Sequence, residues 1–98
     1  MKYEWTAKAV SDLQTLTADF DHPSAAARVM RRLTAAPDVL IQFPRMGTLL
    51  PVFSPREVRR FIVDDYEIRH EITADALFIN DVFHPRQEQI GKASGRGG

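Results

Sequence analysis

The sequence predicts an α+β fold: an N-terminal strand and a helical hairpin packed on one face of a small, mainly antiparallel twisted sheet. Three observations predict it. The stretch from Glu57 to Arg86 reads as three strand-like runs joined by tight connections. Upstream, two stretches between Ala7 and Leu33 carry apolar residues at helical spacing. Two amphipathic helices of about 12 residues do not close on each other, and the oily side of a sheet is the flat surface they need.

Each element has its local reason. Lys2 to Trp5 is short and aromatic and reads as a first strand, after which Thr6 can cap a helix. Val10, Leu13, Leu16 or Thr17, and Phe20 then recur at helical spacing, with Ala7, Ala9 and Ala18 adding propensity. Asp21-His22-Pro23-Ser24 breaks the chain, and Pro23 suits the first turn of a second helix. That helix places Ala26, Val29, Met30 and Leu33 inward and Arg28, Arg31 and Arg32 on its other side. Pro37 is expected to end or restart it, with Leu40, Ile41 and Phe43 on one further inward-facing turn. Pro44-Arg45-Met46-Gly47 is a turn, and Thr48 to Pro55 a loop punctuated by Pro51 and Pro55.

The strands follow by alternation. Phe61 and Val63 oppose Val58, Arg60 and Ile62; Asp64-Asp65 turns the chain. Tyr66, Ile68, His70 and Ile72 oppose Glu67, Arg69, Glu71 and Thr73. In the last strand Leu77, Ile79 and Phe83 share one side, with Asp81 breaking the pattern, and Phe78, Asn80, Val82, His84 and Arg86 share the other. The expected core face is therefore Phe61, Val63, Tyr66, Ile68, Ile72, Leu77, Ile79 and Phe83.

Composition narrows the function classes. The chain has 98 residues, enough for one domain with a modest core, of which 44% are apolar and 27% charged. Thirteen basic residues balance thirteen acidic ones, so bulk charge gives no reason to expect a nucleic-acid coat. There is no cysteine, which excludes disulfides, thiolate zinc sites and a thiol nucleophile. No run approaches signal-peptide or membrane-span character, so a soluble cytoplasmic protein without a membrane partner is expected. No His and carboxylate pair has metal-ligand spacing, and no metal or other cofactor is expected.

The face opposite the core gathers Arg60, Glu67, Arg69, His84 and Arg86. It reads as a binding surface, as a catalytic one, or as ion pairs among Arg60, Glu67 and Arg69 on a wet face. His70 alternates with apolar residues and reads as a core or core-edge histidine.

The pieces taken together are more specific than any one of them. They are Trp5-Thr6 with Ala9 and Asp12-Leu13; Pro23 with Ala26-Ala27-Arg28; Leu40 with Phe43-Pro44-Arg45-Met46-Gly47; Val58-Arg59; Tyr66-Glu67-Ile68-Arg69; and Val82-Phe83-His84-Pro85-Arg86. In this order they resemble the RelE/ParE superfamily of bacterial type II toxins, closer to the ParE-like branch, from about Lys2 to Glu88. The resemblance implies a single toxin domain over residues 1–90; the tail, 91–98, is polar and ends in a Gly-rich run that cannot offset its ordering entropy, so it is expected to be disordered.

It also implies the toxin of a toxin–antitoxin, or plasmid stabilisation, system, held silent by a cognate ParD-like or RelB-like antitoxin. Members of the superfamily either poison DNA gyrase by binding or cut messenger RNA on the ribosome. An RNA-cutting relative needs cations around the phosphate and an acid or base nearby. Arg60 and Arg86 match basic positions of such a site, but Val58 and Glu67 stand where it carries positive charge. No tyrosine or histidine follows Arg86. The expectation is therefore a gyrase inhibitor rather than an enzyme, with Arg45, Arg60, Arg69, His84 and Arg86 binding the target. The alternative is a ribosome-dependent mRNA endonuclease using Arg60, Glu67, His84 and Arg86. Antitoxin binding is expected in the apolar groove between hairpin and sheet, with Arg28, Arg32, Leu49, Leu50 and Phe53.

Overall fold

The structure, a computed structural model, describes residues 1–85 of the chain. The elements run β1 (Lys2–Trp5), α1 (Ala7–Ala18), α2 (Pro23–Gln42), β2 (Thr48–Leu49), a 3-10 turn (Pro51–Phe53), β3 (Glu57–Val63), β4 (Tyr66–Ile72) and β5 (Ala76–Phe83). The five strands form one sheet in the order β1-β5-β4-β3-β2. β1 lies parallel to β5 and every other pairing is antiparallel. This is the predicted α+β architecture. The expected tail, 91–98, and Arg86 lie outside the described residues.

The helices begin where the sequence places them. Thr6 caps α1 in an extended conformation, its Oγ1 accepting the Ala9 N–H at 3.1 Å. Pro23 opens α2. α2 does not stop at Pro37 but continues unbroken to Gln42. A proline inside an isolated helix costs about 3 kcal/mol, because a backbone donor is lost and the ring crowds the preceding turn. Here Pro37 is itself buried, on the face of α2 that also buries Leu33, Ala36 and Leu40, and the packing of that face offsets the loss.

The core lies between the helices and one face of the sheet. Ala9 and Leu13 of α1 and Leu33, Ala36 and Leu40 of α2 pack on Ile68, Leu77, Ile79 and Val82. Each large aliphatic side chain so buried stabilises the fold by roughly 1.5–3 kcal/mol relative to exposure. Trp5, Phe61, Val63 and Tyr66 edge this layer.

The expected orientations beyond Asn80 are reversed, for one reason. Arg69 pairs with Asp81 but His70 pairs with Ile79, so Asn80 is the extra residue of a β-bulge. A bulge shifts the alternation by one. Val82, expected outside, is 1% exposed in the core. Phe83, expected in the core, faces out beside Arg69. The backbone groups at the bulge find side chains on α1: Thr6 Oγ1 donates to the Asn80 carbonyl at 3.2 Å, and Val82 N–H donates to Asp12 Oδ2 at 3.0 Å. Asp81, the residue that broke the pattern in the sequence, turns outward and meets Lys8 at 3.2 Å.

Candidate functional site

The sheet face away from the helices combines Val58, Arg60 and Ile62 of β3, Glu67, Arg69 and Glu71 of β4, and Phe78, Asp81 and Phe83 of β5. Its charges are largely matched within the fold. Arg69 Nε donates to Glu67 Oε2 at 3.1 Å, along one strand rather than across two. Glu67 is only 5% exposed, so the pair is sunk into the face instead of standing on wet surface. The Arg69 guanidinium also lies 4.7 Å from the Phe83 ring and 5.9 Å from Phe53. Beside it, Arg56 donates to both oxygens of Glu71, at 3.0 and 2.7 Å, and Asn80 Nδ2 donates to the same carboxylate at 3.0 Å. Arg56 holds the Glu71 carboxyl below its usual range; burial opposes this and Asn80 adds to it.

The predicted residues do not converge on one point. Arg60 is exposed on the outer face, opposite Arg69. His84 is on the other side of the sheet: the bulge turns it toward Tyr66, with the rings edge-to-face at 5.3 Å. The open-face placement of His84 is thus corrected, and it does not join Arg60 and Glu67. Burial, followed by the nearby Asp65 and Asp64, pushes the Tyr66 phenol above its ordinary range, so it is not a base at neutral pH. Arg45 is exposed and its Nε donates to Glu57 Oε2 at 3.0 Å. Among the described residues no three His, Asp or Glu side chains converge as they would around a metal ion.

The residues proposed for antitoxin binding also divide. Leu49 and Leu50 line a hollow of about 220 Å³ with Pro51, Ser54 and Pro55. Phe53 lies against the outer face between Arg56 and Arg69. Arg28 is exposed on α2.

A larger groove, of about 440 Å³, runs between α2 and β3 and is lined by Arg31, Arg32, Ala35, Val39, Ile62 and Val63, among others. Its apolar wall on α2 is open to solvent, with Val39 41% exposed, and Ile62, whose side chain lies on the outer face, borders it along the β3 edge. Arg32 closes one end by a two-pronged contact with Asp64, Nη2 to Oδ1 at 2.9 Å. Asp64 sits at φ 54° in the β3–β4 turn, a conformation that aspartate tolerates better than bulkier residues. The groove exists because β2 is short: it pairs only with Arg59 and Arg60 and stops before Phe61. Val58 accepts Leu50 N–H on this edge, so by alternation Ile62 also points its N–H and C=O outward. Among the described residues no strand pairs with Ile62 on that side. One sequence signal was available: Arg31, Ala35 and Val39 recur every fourth residue, forming a row beside the buried one.

Comparison with known proteins agrees with this frame. Residues 3–89 match the family model for the ParE toxin of the type II toxin–antitoxin system parDE. A solved structure described as a chromosomal ParDE TA system from P. aeruginosa superposes with a TM-score of 0.72. It is 19% identical and covers 86% of this chain and 95% of its own, a likeness of fold. No curated protein sequence matches. With the family model spanning nearly all of the chain, this protein is a member of the ParE toxin family of type II toxin–antitoxin systems.

Proposed function

We propose that this toxin acts by binding DNA gyrase, and that a cognate antitoxin silences it by filling the groove between α2 and β3. The single observation that carries the first part is the pairing of Arg69 with the buried Glu67 carboxylate. RNA cleavage by 2′-hydroxyl attack needs cations free to crowd around a phosphate. Arg69 is held by a carboxylate and by aromatic rings instead. His84 lies on the opposite side of the sheet from Arg60, which separates the histidine from the cation expected to contact phosphate. What remains is a recognition surface, and the family resemblance implies gyrase as its target.

The second part rests on the groove. Its apolar lining suits aliphatic anchors, Arg31 at its rim suits an acidic side chain, and Ile62 offers main-chain hydrogen bonds. An acidic, partly apolar antitoxin segment meets all three.

The test uses purified toxin freed of antitoxin. With gyrase it is expected to block supercoiling or trap cleaved DNA. With programmed ribosomes it is expected to leave the message intact. Ribosome-dependent cleavage in the A site that is lost in Arg60→Ala overturns the reading.

A further inference from the structure

His70 lies on the helix-facing side of β4 with no solvent exposure. Its Nε2 is 2.9 Å from the carbonyl oxygen of Pro44, in the turn that leads from α2 to β2. A carbonyl only accepts, so Nε2 carries the proton and Nδ1 is the bare nitrogen. Nδ1 is buried and has no hydrogen-bond partner. On the neighbouring strand Arg59 stands opposite His70, and its Nη1 donates to the carbonyls of Arg45 at 3.1 Å and Gly47 at 3.4 Å. Two core-facing side chains therefore hold the Pro44–Gly47 turn from below.

The turn has few other fastenings. β2 contributes two residues to the sheet, Thr48 opposite Arg60 and Leu49 opposite Arg59. Gly47, at φ 91°, passes so close that a Cβ there would lie 2.2 Å from the Arg60 carbonyl oxygen. The turn and β2 together form a strap over the part of the β3 edge that is continuous with the open groove.

We propose that this strap is a pH-sensitive cover, with His70 as its sensor. Neutral His70 holds the strap down. Protonation puts a proton and a charge on buried Nδ1, where there is no acceptor; the Nε2–H bond to Pro44 survives it, but the cation gains water only when the strap lifts, and the edge at Arg59 and Arg60 then joins the open edge at Ile62. The charged groups facing the ring are Arg59 and Glu57 of β3, with Arg45 of the strap paired to Glu57 at 3.0 Å. Its partner on β5 is Ile79, and the buried residues of α2 are uncharged. Burial is the largest influence and disfavours the cation; the Pro44 carbonyl favours it, Arg59 opposes it and Glu57 favours it. The net effect lowers the ring's pKa below its ordinary 6.5. A histidine lowered in this way contributes stability that is complete above about 6.5 and is lost as pH falls toward the folded-state pKa. In the free protein the strap's response to pH needs no occupant in the groove.

Amide hydrogen exchange of the whole protein, as protection factors between pH 7.5 and 5, tests this. The Leu50 amide, which donates to Val58, is expected to lose protection below pH 6.5 by up to about tenfold per pH unit, while Ile68 and Ile79 keep theirs. In His70→Gln, whose amide can still donate to Pro44 but does not titrate, the Leu50 protection factor is expected to be independent of pH over that range. Imidazole nitrogen shifts of the unaltered protein give a second readout, expected to show an Nε2–H tautomer protonating below 6.5. Strap protection that is flat with pH, or that falls equally in His70→Gln, overturns the proposal. So does a ring that protonates at or above 6.5.

Discussion

The outer sheet face and the groove between α2 and β3 both carry arginines, yet they present them differently. On the outer face Arg69 is bound to a buried Glu67 at 3.1 Å and Arg56 to Glu71 at 2.7 Å, with Phe53 and Phe83 packed on the guanidinium of Arg69. Those charges serve the fold. In the groove, Arg31 stands in solvent beside exposed Val39 and Ile62, and the main chain of Ile62 points off the sheet. Those groups are open to solvent. A dense set of ionisable residues therefore does not by itself mark a site; what matters is whether their hydrogen bonds and charges are already matched inside the protein.

The comparison breaks if groove and face respond alike to substitution. Val39→Glu puts a like charge in the path of an acidic segment and removes an apolar anchor. It is expected to weaken antitoxin binding by about 100-fold, measured by calorimetry, with little change in melting temperature. Arg69→Ala is expected to do the reverse. It leaves the Glu67 carboxylate buried without its cation, which lowers unfolding free energy by about 2–3 kcal/mol in urea titrations. That figure is below the cost of breaking a fully buried pair because Arg69 is partly solvated. Antitoxin affinity is expected to hold if the variant remains folded.

A smaller effect separates the two regions by pH. Glu71 is held below its ordinary range by Arg56, so its contribution to stability is present above about 4.5 and is lost as pH falls through the lowered value. Arg56→Gln is expected to flatten the acid limb of the stability profile below pH 4.5. It leaves untouched the change nearer neutrality that belongs to the strap.

Much of the frame was legible in the sequence because it follows from local rules. The Thr6 cap, the helical spacing of Leu13 and Leu33, and the alternation of Phe61, Val63, Tyr66 and Ile68 each carry their own signal. Even the burial of His70 followed from its place among apolar alternates. What was not legible depended on partners distant in the chain. The bulge at Asn80 is stabilised by Thr6 and Asp12, some seventy residues away, so the alternation slipped there and carried Val82, Phe83 and His84 to the wrong sides. Pro37 looked like a helix end because the contact that tolerates it is tertiary. The groove was missed in detail because no local pattern says where β2 stops, and an open edge exists only by that stop.

The central claim, that the groove and not the outer face receives the antitoxin, can be read at one residue. Exchange of the Ile62 amide is to be measured in the free toxin and in its complex with the antitoxin. Fast exchange is expected in the free protein and slowing of about 100-fold or more in the complex, as for a main-chain donor covered by a tightly bound partner. An Ile62 amide that exchanges equally fast in both states, with new protection confined to the Leu49–Phe53 segment and the outer face, contradicts it.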